Sequence, residues 1–192
     1  LEEKARGVKN IIFDLRQNGG GSPFMVTGVA SLFAPKGEHI YSYCSIINEK
    51  TASYERDDNG KYPVGEALTY EGEDLFADGN IILLVNAETV SAGDDMTNLM
   101  SEYPNVTIMG FTKSNCSCQA VTGVSLEGAS FTFSAVPNVD AEGTPMIDSG
   151  ADHVGKVPID VIVPFDEKAA AAIFENGEDY LLDYAVGYVK SC

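Results

Sequence analysis

The chain has 192 residues, of which 44% are hydrophobic and 21% are charged, a composition typical of a soluble globular domain with one well-packed core. Its net charge of −17 argues against a nucleic-acid partner, because binding phosphates requires clustered Lys and Arg. The longest apolar runs are far too short for a membrane-spanning helix, so we expect no membrane insertion by this segment.

The first part of the chain predicts a strand, a helix and a second strand. Residues 9–15 form a nearly continuous apolar run, typical of a strand buried on both faces of a parallel sheet. A Ser-Pro pair then predicts the N-cap and first residue of a helix over 22–33. A strand is predicted over 38–47, and the polar, turn-rich range 48–79 predicts a surface excursion containing a hairpin.

The rest of the chain continues the alternation of strands and helices. Residues 80–86 predict a second buried strand, 92–103 a second helix, and 105–109 a third strand. The remaining predicted elements are antiparallel strands at 120–126 and 130–136, a short strand at 160–163, and helices at 166–174 and 179–189. This order, with short connections, predicts an α/β fold in a single domain.

The turn after the second buried strand places a serine, Ser91, at the head of the second helix. Ser91 and Asp94 have the spacing of the N-cap and N3 residues of a capping box, which is the commoner use of such a pattern. The same position suits a nucleophile, because its hydroxyl lies beside the amide of Ala92 and the positive end of the helix dipole. The residues alone leave both interpretations open.

The turn after the first buried strand contains three successive glycines within residues 18–21. A plain tight turn is the simplest interpretation, and the spacing required of a nucleotide-binding loop is absent. Glycines also allow a backbone N–H to approach a substrate closely, as the donors of an oxyanion hole must. Both turns are expected at the carboxyl edge of one sheet, where they would combine a hydroxyl with backbone donors.

In this order, the two turns resemble the C-terminal processing (tail-specific) serine peptidase family. The matching segments are Asp-Leu-Arg-Gln-Asn-Gly-Gly-Gly at 14–21 and Thr-Val-Ser-Ala-Gly-Asp at 89–94, followed by shorter matches at 109–112 and 157–163. The resemblance covers nearly the whole chain. It implies a crotonase- and Clp-protease-like β/α spiral core with additional antiparallel strands.

The resemblance also implies roles for individual residues. Ser91 would be the nucleophile, and the amides of Ala92 and of Gly20 or Gly21 would form the oxyanion hole. Asp94 stands where many members have a glutamate and would support the site. The substrate would be a polypeptide, with no cofactor and no metal ion, and the protein would act outside the cytoplasm. The oligomeric state is not implied.

The general base is the part of the site that does not match. Many members place a catalytic lysine in the loop after the third strand, but the corresponding count leads to Cys116. Lys113 is the candidate base within this chain, with an exposed loop lysine as the alternative. In a second branch, similar to the tricorn protease core, an upstream histidine acts with a later serine and a glutamate; Ser114 matches the serine, and no residue matches the glutamate. His39 and His153 lie outside the matching motifs.

The chain begins at Leu1 rather than Met, and we expect residues 1–192 to be the catalytic core of a longer parent whose PDZ-like and N-terminal parts lie upstream. We therefore expect the isolated chain to be weakly active or inactive. Two alternative functions remain open. One is a non-catalytic ligand carrier, as in the retinoid-binding protein of the retina, which is similar to the same family. The other is a crotonase-type thioester enzyme, against which Ser91 argues because that chemistry needs no hydroxyl there.

Overall fold

The computed structural model describes residues 7–51, 53–115, 119–146, 157 and 159–191. For residues 119–122 and 133–136 it describes the backbone only. The strands are β1 (Asn10–Asp14), β2 (Gly37–Ser45), β3 (Val64–Gly72), β4 (Asn80–Leu84), β5 (Val106–Gly110), β6 (Gln119–Leu126), β7 (Ala129–Val139) and β8 (Val161–Ile162). The helices are α1 (Pro23–Phe33), α2 (Ala92–Met100), α3 (Glu167–Phe174) and α4 (Tyr180–Ser191).

One sheet is parallel throughout, with the strand order β1-β4-β5-β8. Strand β4 lies inside it, and the side chains from Ile81 to Leu84 are completely buried. Ile81 and Leu83 pack in a core with residues of α1 and α2, whereas Ile82 and Leu84 pack on the opposite face against α4. Helices therefore cover both faces, and the carboxyl ends of β1, β4 and β5 meet at one edge.

The second sheet is antiparallel, with the order β3-β2-β7-β6. Strands β6 and β7 form the hairpin predicted from the sequence, and β2 joins this hairpin to β3. The predicted α/β class with additional antiparallel strands is confirmed.

Strand β3 was not predicted. It lies inside the range 48–79, which was expected to be a surface excursion, and it pairs along its length with β2. Its Gly, Glu and Ala residues have poor intrinsic strand propensity, so pairing with β2 provides the order that the local pattern does not. All of its side chains are exposed or only half-buried, so residues 64–72 form a paired strand at the edge of the second sheet.

Helix α1 begins where the Ser-Pro pair predicts, with Pro23 in its first turn and Ser22 in an extended conformation at the N-cap. The Ser22 hydroxyl makes no capping hydrogen bond. Strand β4 and helix α2 also lie within the predicted ranges, although α2 ends at Met100, before the predicted 103. Strand β5 matches its predicted range to within one residue at each end. Within the described parts of the chain, no helix has the length and apolarity needed to cross a membrane.

Candidate active site

Hydrogen bonds join the glycine turn to the serine turn at the carboxyl edge of the parallel sheet. Leu15 N–H donates to the carbonyl of Leu84 at 2.9 Å, which extends the pairing of β1 and β4 into the turn. The Thr89 hydroxyl donates to the Leu15 carbonyl at 2.9 Å. Val90 N–H donates to the Asn18 carbonyl at 3.0 Å. The two motifs, distant in sequence, therefore form one structural unit.

Asn18 organises both turns. Its Oδ1 accepts a hydrogen bond from Gly20 N–H at 2.9 Å. A Cβ at Gly93 would lie 3.1 Å from the Asn18 carbonyl oxygen and 3.2 Å from Oδ1, so the start of α2 packs directly on Asn18. The sequence assigned Asn18 no role, although asparagine side chains commonly bond the backbone two residues on, and an Asn-Gly-Gly turn carries that signal.

Ser91 has a backbone conformation that few residues other than glycine adopt. Its φ and ψ are 56° and −125°, and its hydroxyl makes no capping hydrogen bond to α2. Ser91 therefore occupies the N-cap position of α2, but its hydroxyl does not cap the helix as the capping-box interpretation expects. Such a conformation costs about 1–3 kcal/mol and persists only where the surroundings maintain it. A half-buried serine in a strained strand-to-helix turn has the arrangement of a nucleophile elbow.

Gly20 is in direct contact with Ser91. Its φ is +95°, and a Cβ at this position would clash with the Ser91 Cβ and lie 2.9 Å from its Oγ. The same Cβ would lie 3.1 Å from the Ala92 nitrogen. Both the conformation and the space therefore require glycine, and the glycine turn lies against the candidate nucleophile and the first amide of α2.

The predicted oxyanion donors differ in availability. Gly20 N–H is already used by the Asn18 side chain. For Gly21 and Ala92, no hydrogen bond from the backbone N–H to another described residue is present. Gly21 is exposed, and Ala92 is the first residue of α2, where the helix dipole adds positive potential. The availability of its N–H therefore favours Gly21 over Gly20 as the partner of Ala92.

Asp94 lies in the first turn of α2 and is only 1% exposed. A carboxylate here interacts favourably with the positive end of the helix dipole. Its burial beside the serine turn is consistent with the supporting role implied by the resemblance.

The loop after β5 runs back towards the serine turn. Asn115 N–H donates at 2.9 Å to the carbonyl of Thr89, which lies two residues before Ser91. Ser114 is 1% exposed, and its hydroxyl has no hydrogen-bond partner in the described structure. Lys113 is half-buried, and no hydrogen bond joins it to Ser91 in the described structure. Cys116 lies outside the described residues, so the identity of the base stays a prediction.

His39 is part of an aromatic cluster rather than the serine turn. Its Nε2 lies 2.6 Å from the Pro35 carbonyl oxygen, and its ring stacks on Tyr70 with the centroids 5.4 Å apart. The hydroxyls of Tyr70 and Tyr103 are hydrogen-bonded at 2.6 Å, and burial raises the pKa of both. His39 therefore has a packing role, and His153 lies outside the described residues.

Arg16 pairs with two carboxylates. Its Nε donates to Asp14 Oδ1 at 2.8 Å, and its two terminal nitrogens donate to Asp179 at 2.7 Å each. The guanidinium lowers the pKa of both carboxyls. Asp179 also accepts the N–H of Leu182 at 3.1 Å in the first turn of α4. Arg16 therefore attaches α4 to the end of β1, a role that sequence reasoning missed because its partner is distant along the chain.

Solved structures of low sequence identity have the same fold. A protein from Parabacteroides merdae that is assigned as a peptidase is 23% identical, with a TM-score of 0.67 over 96% of this chain and 53% of that chain. The photosystem II D1 C-terminal processing protease is 19% identical, with a TM-score of 0.55 over 93% of this chain and 41% of that chain. A lipoprotein from Streptococcus agalactiae is 17% identical, with a TM-score of 0.53 over 95% of this chain and 55% of that chain.

This chain therefore spans about half the length of the solved structures that it matches. The likeness confirms the expected fold, in which a Clp- and crotonase-like parallel core carries additional antiparallel strands.

The family model described as peptidase family S41 matches residues 1–132. The matched range contains the glycine turn, the serine turn and the loop that carries Lys113 and Ser114. It covers well over half of the chain, and the resemblance to the processing peptidases is confirmed. The chain belongs to peptidase family S41.

Proposed function

We propose that this chain is the catalytic core of a serine peptidase that hydrolyses exposed or unstructured polypeptides through an acyl-enzyme at Ser91. The main support is the contact of Gly20 with the Ser91 side chain and the Ala92 nitrogen. This contact brings the Ser91 hydroxyl together with the Ala92 N–H, which has no partner among the described residues, at the edge of the sheet. Membership of peptidase family S41 adds the reaction class.

In the proposed reaction, a base removes the proton from Ser91 Oγ, which attacks the carbonyl carbon of the scissile peptide bond. The negative charge that develops on the carbonyl oxygen is stabilised by the N–H groups of Gly21 and Ala92 and by the dipole of α2. The C–N bond then breaks, and the amine leaves with a proton from the protonated base. Water hydrolyses the ester by the same steps and regenerates the Ser91 hydroxyl.

Lys113 is the proposed base within this chain. To accept a proton, a lysine must be neutral, which requires surroundings that disfavour its charge. Asp94 and Ser114 are proposed as supporting groups, because both are buried near the serine turn. Asp94 lies three residues after Ser91, and Ser114 precedes Asn115, whose N–H bonds the carbonyl of Thr89. If the isolated chain turns substrate over and Lys113→Met abolishes this, the base is Lys113; if only the full-length parent is active and Lys113→Met leaves it active, the base lies elsewhere.

The proposed site of action is outside the cytoplasm. The resemblance to the processing peptidases supports this, and one structural relative is a lipoprotein. Fractionation of cells that express the full-length parent tests the location: recovery with the cytoplasmic fraction alone would contradict it.

A fluorophosphonate probe on the full-length parent tests the proposed nucleophile. We expect labelling of the wild type, none of Ser91→Ala, and parallel loss of hydrolysis of an unfolded protein substrate. Ser22→Ala is the matched control, because Ser22 follows the glycine turn and its hydroxyl makes no capping bond. Labelling that persists in Ser91→Ala would contradict the proposal. An apolar ligand retained by the purified parent, without any hydrolysis, would instead indicate the carrier, which these relatives do not support.

A further inference from the structure

Tyr41 reaches the serine turn from the second sheet, outside both motifs. The pairing of β2 with β3 shifts register between Ile40 and Ser42, which marks a β-bulge at Tyr41. Side chains in a regular strand alternate between faces. Here the consecutive residues Tyr41 and Ser42 are both buried, at 8% and 3% exposure. The bulge therefore directs the Tyr41 ring inward, towards α2.

The Tyr41 hydroxyl donates a hydrogen bond of 2.7 Å to Asp95 Oδ2. Asp95 is 7% exposed and lies in the first turn of α2. Its own N–H donates to the Ser91 carbonyl at 2.9 Å. A hydroxyl that donates to a carboxylate makes one of the stronger protein hydrogen bonds, and strength increases where water is excluded. Asp95 thus connects Tyr41 on β2 to the backbone of the candidate nucleophile.

We propose that Tyr41 is a positioning residue for the nucleophile: through Asp95, it fixes the first turn of α2 and thereby the Ser91 hydroxyl and the Ala92 amide. The strained conformation of Ser91 must be maintained by its surroundings, and Tyr41 supplies a constraint from the other sheet. Misplacement of reacting groups by about 1 Å costs on the order of 100-fold in rate. The catalytic consequence rests on the proposed function, whereas the constraint on the turn does not.

Tyr41→Phe tests this inference, because it removes the hydroxyl and keeps the ring. Tyr43→Phe is the matched control: Tyr43 lies on the same strand and lines the same cleft as Tyr41, and among the described residues its hydroxyl makes no hydrogen bond. In the full-length parent, we expect Tyr41→Phe to lower kcat about tenfold with KM unchanged. We also expect faster amide hydrogen exchange over residues 92–97, and neither effect in Tyr43→Phe.

Two substitutions of Asp95 separate the hydrogen bond from the charge. Asp95→Asn keeps an oxygen that can accept from Tyr41, so we expect kcat within about threefold of the wild type. Asp95→Ala removes the acceptor and should lower kcat at least as much as Tyr41→Phe does. Equal losses in Asp95→Asn and Asp95→Ala would overturn the role of the hydrogen bond.

The exchange measurement keeps this inference separate from the proposed peptidase function. If the wild type shows no labelling at Ser91, the proposed function fails, while exchange over 92–97 still reports whether Tyr41 constrains the turn. If Tyr41→Phe lowers the melting temperature but matches Tyr43→Phe in kcat and in exchange over 92–97, Tyr41 is only a packing residue and the inference is overturned.

Discussion

Arg16 and Gly20 belong to the same turn after β1, but their surroundings differ. Arg16 is paired with Asp14 and Asp179 through several short hydrogen bonds, and these bonds attach α4 to the sheet. Gly20 lies against a serine in a strained conformation, and the neighbouring N–H groups of Gly21 and Ala92 have no partner among the described residues. In the first half of the motif a charged side chain is thus paired, whereas at the second half N–H groups have no partner among the described residues.

This difference separates stability from chemistry within a single segment. Paired charges contribute to the free energy of folding, whereas unused donors and backbone strain reduce it and are retained where they serve a reaction. Substitutions in the arginine half should therefore change stability more than reactivity. Substitutions in the glycine half should change reactivity far more than their size suggests.

The largest effect is expected for Gly20→Ala. A methyl group there clashes with Ser91 and imposes a positive φ on alanine, so we expect the rate of Ser91 labelling to fall about 100-fold or more. Gly19→Ala is the control, since a Cβ at Gly19 meets no atom within 4 Å. Phosphonate labelling rates of both variants in the full-length parent measure the effect. Equal rates would show that the glycine turn is not part of the site.

A smaller effect is expected for Asn18→Ala. The substitution removes the acceptor for Gly20 N–H and the packing on Gly93, so the glycine turn loses its alignment with Ser91. We expect a labelling rate about tenfold lower and a free energy of unfolding lower by about 1 kcal/mol. Asn115→Ala provides the comparison, because among the described residues Asn115 forms a hydrogen bond through its backbone N–H and none through its side chain. A rate unchanged in Asn18→Ala would contradict the organising role of Asn18.

The smallest effect is expected for Arg16→Gln, and it concerns stability. Asp14 and Asp179 have folded pKa values below the ordinary 3.8, so Arg16 stabilises the fold above that pH and ceases to do so as pH falls through the lowered values. Both carboxylates are nearly half exposed, which limits the contribution to about 1 kcal/mol near neutral pH. Urea denaturation between pH 7 and about pH 2 measures the difference from wild type, which should disappear in acid.

Arg56→Gln is the control for that experiment, because Arg56 hydrogen-bonds the Tyr62 hydroxyl rather than a carboxylate. Its difference from wild type should not shrink in acid. We also expect Arg16→Gln to slow Ser91 labelling less than Asn18→Ala does. A larger loss of labelling in Arg16→Gln would show that the two halves of the motif are not separable.

Local sequence patterns predicted the elements that carry the site. The apolar run of β4 and the Ser-Pro start of α1 each have a cause within a few residues, and both are confirmed. The pairing of β2 with β3 was missed, because β3 contains weak strand formers and is ordered by its partner.

The contacts that link distant residues could not be predicted in the same way. Nothing near Arg16 indicates Asp179, and nothing near Tyr41 indicates Asp95, because both contacts depend on how the elements pack. The positive φ of Ser91 is also a product of packing, which is why the residues alone left both the capping box and the nucleophile open. The identity of the base stays a prediction, because neither the sequence pattern nor the described contacts assign it.

A crystal structure of the full-length parent after reaction with the phosphonate would show directly whether these two turns form the active site. We expect a covalent bond from phosphorus to Ser91 Oγ, with the phosphonyl oxygen about 3 Å from the backbone nitrogens of Gly21 and Ala92. An adduct on another residue, or a phosphonyl oxygen that contacts neither amide, would contradict the assignment of these two turns as the active site.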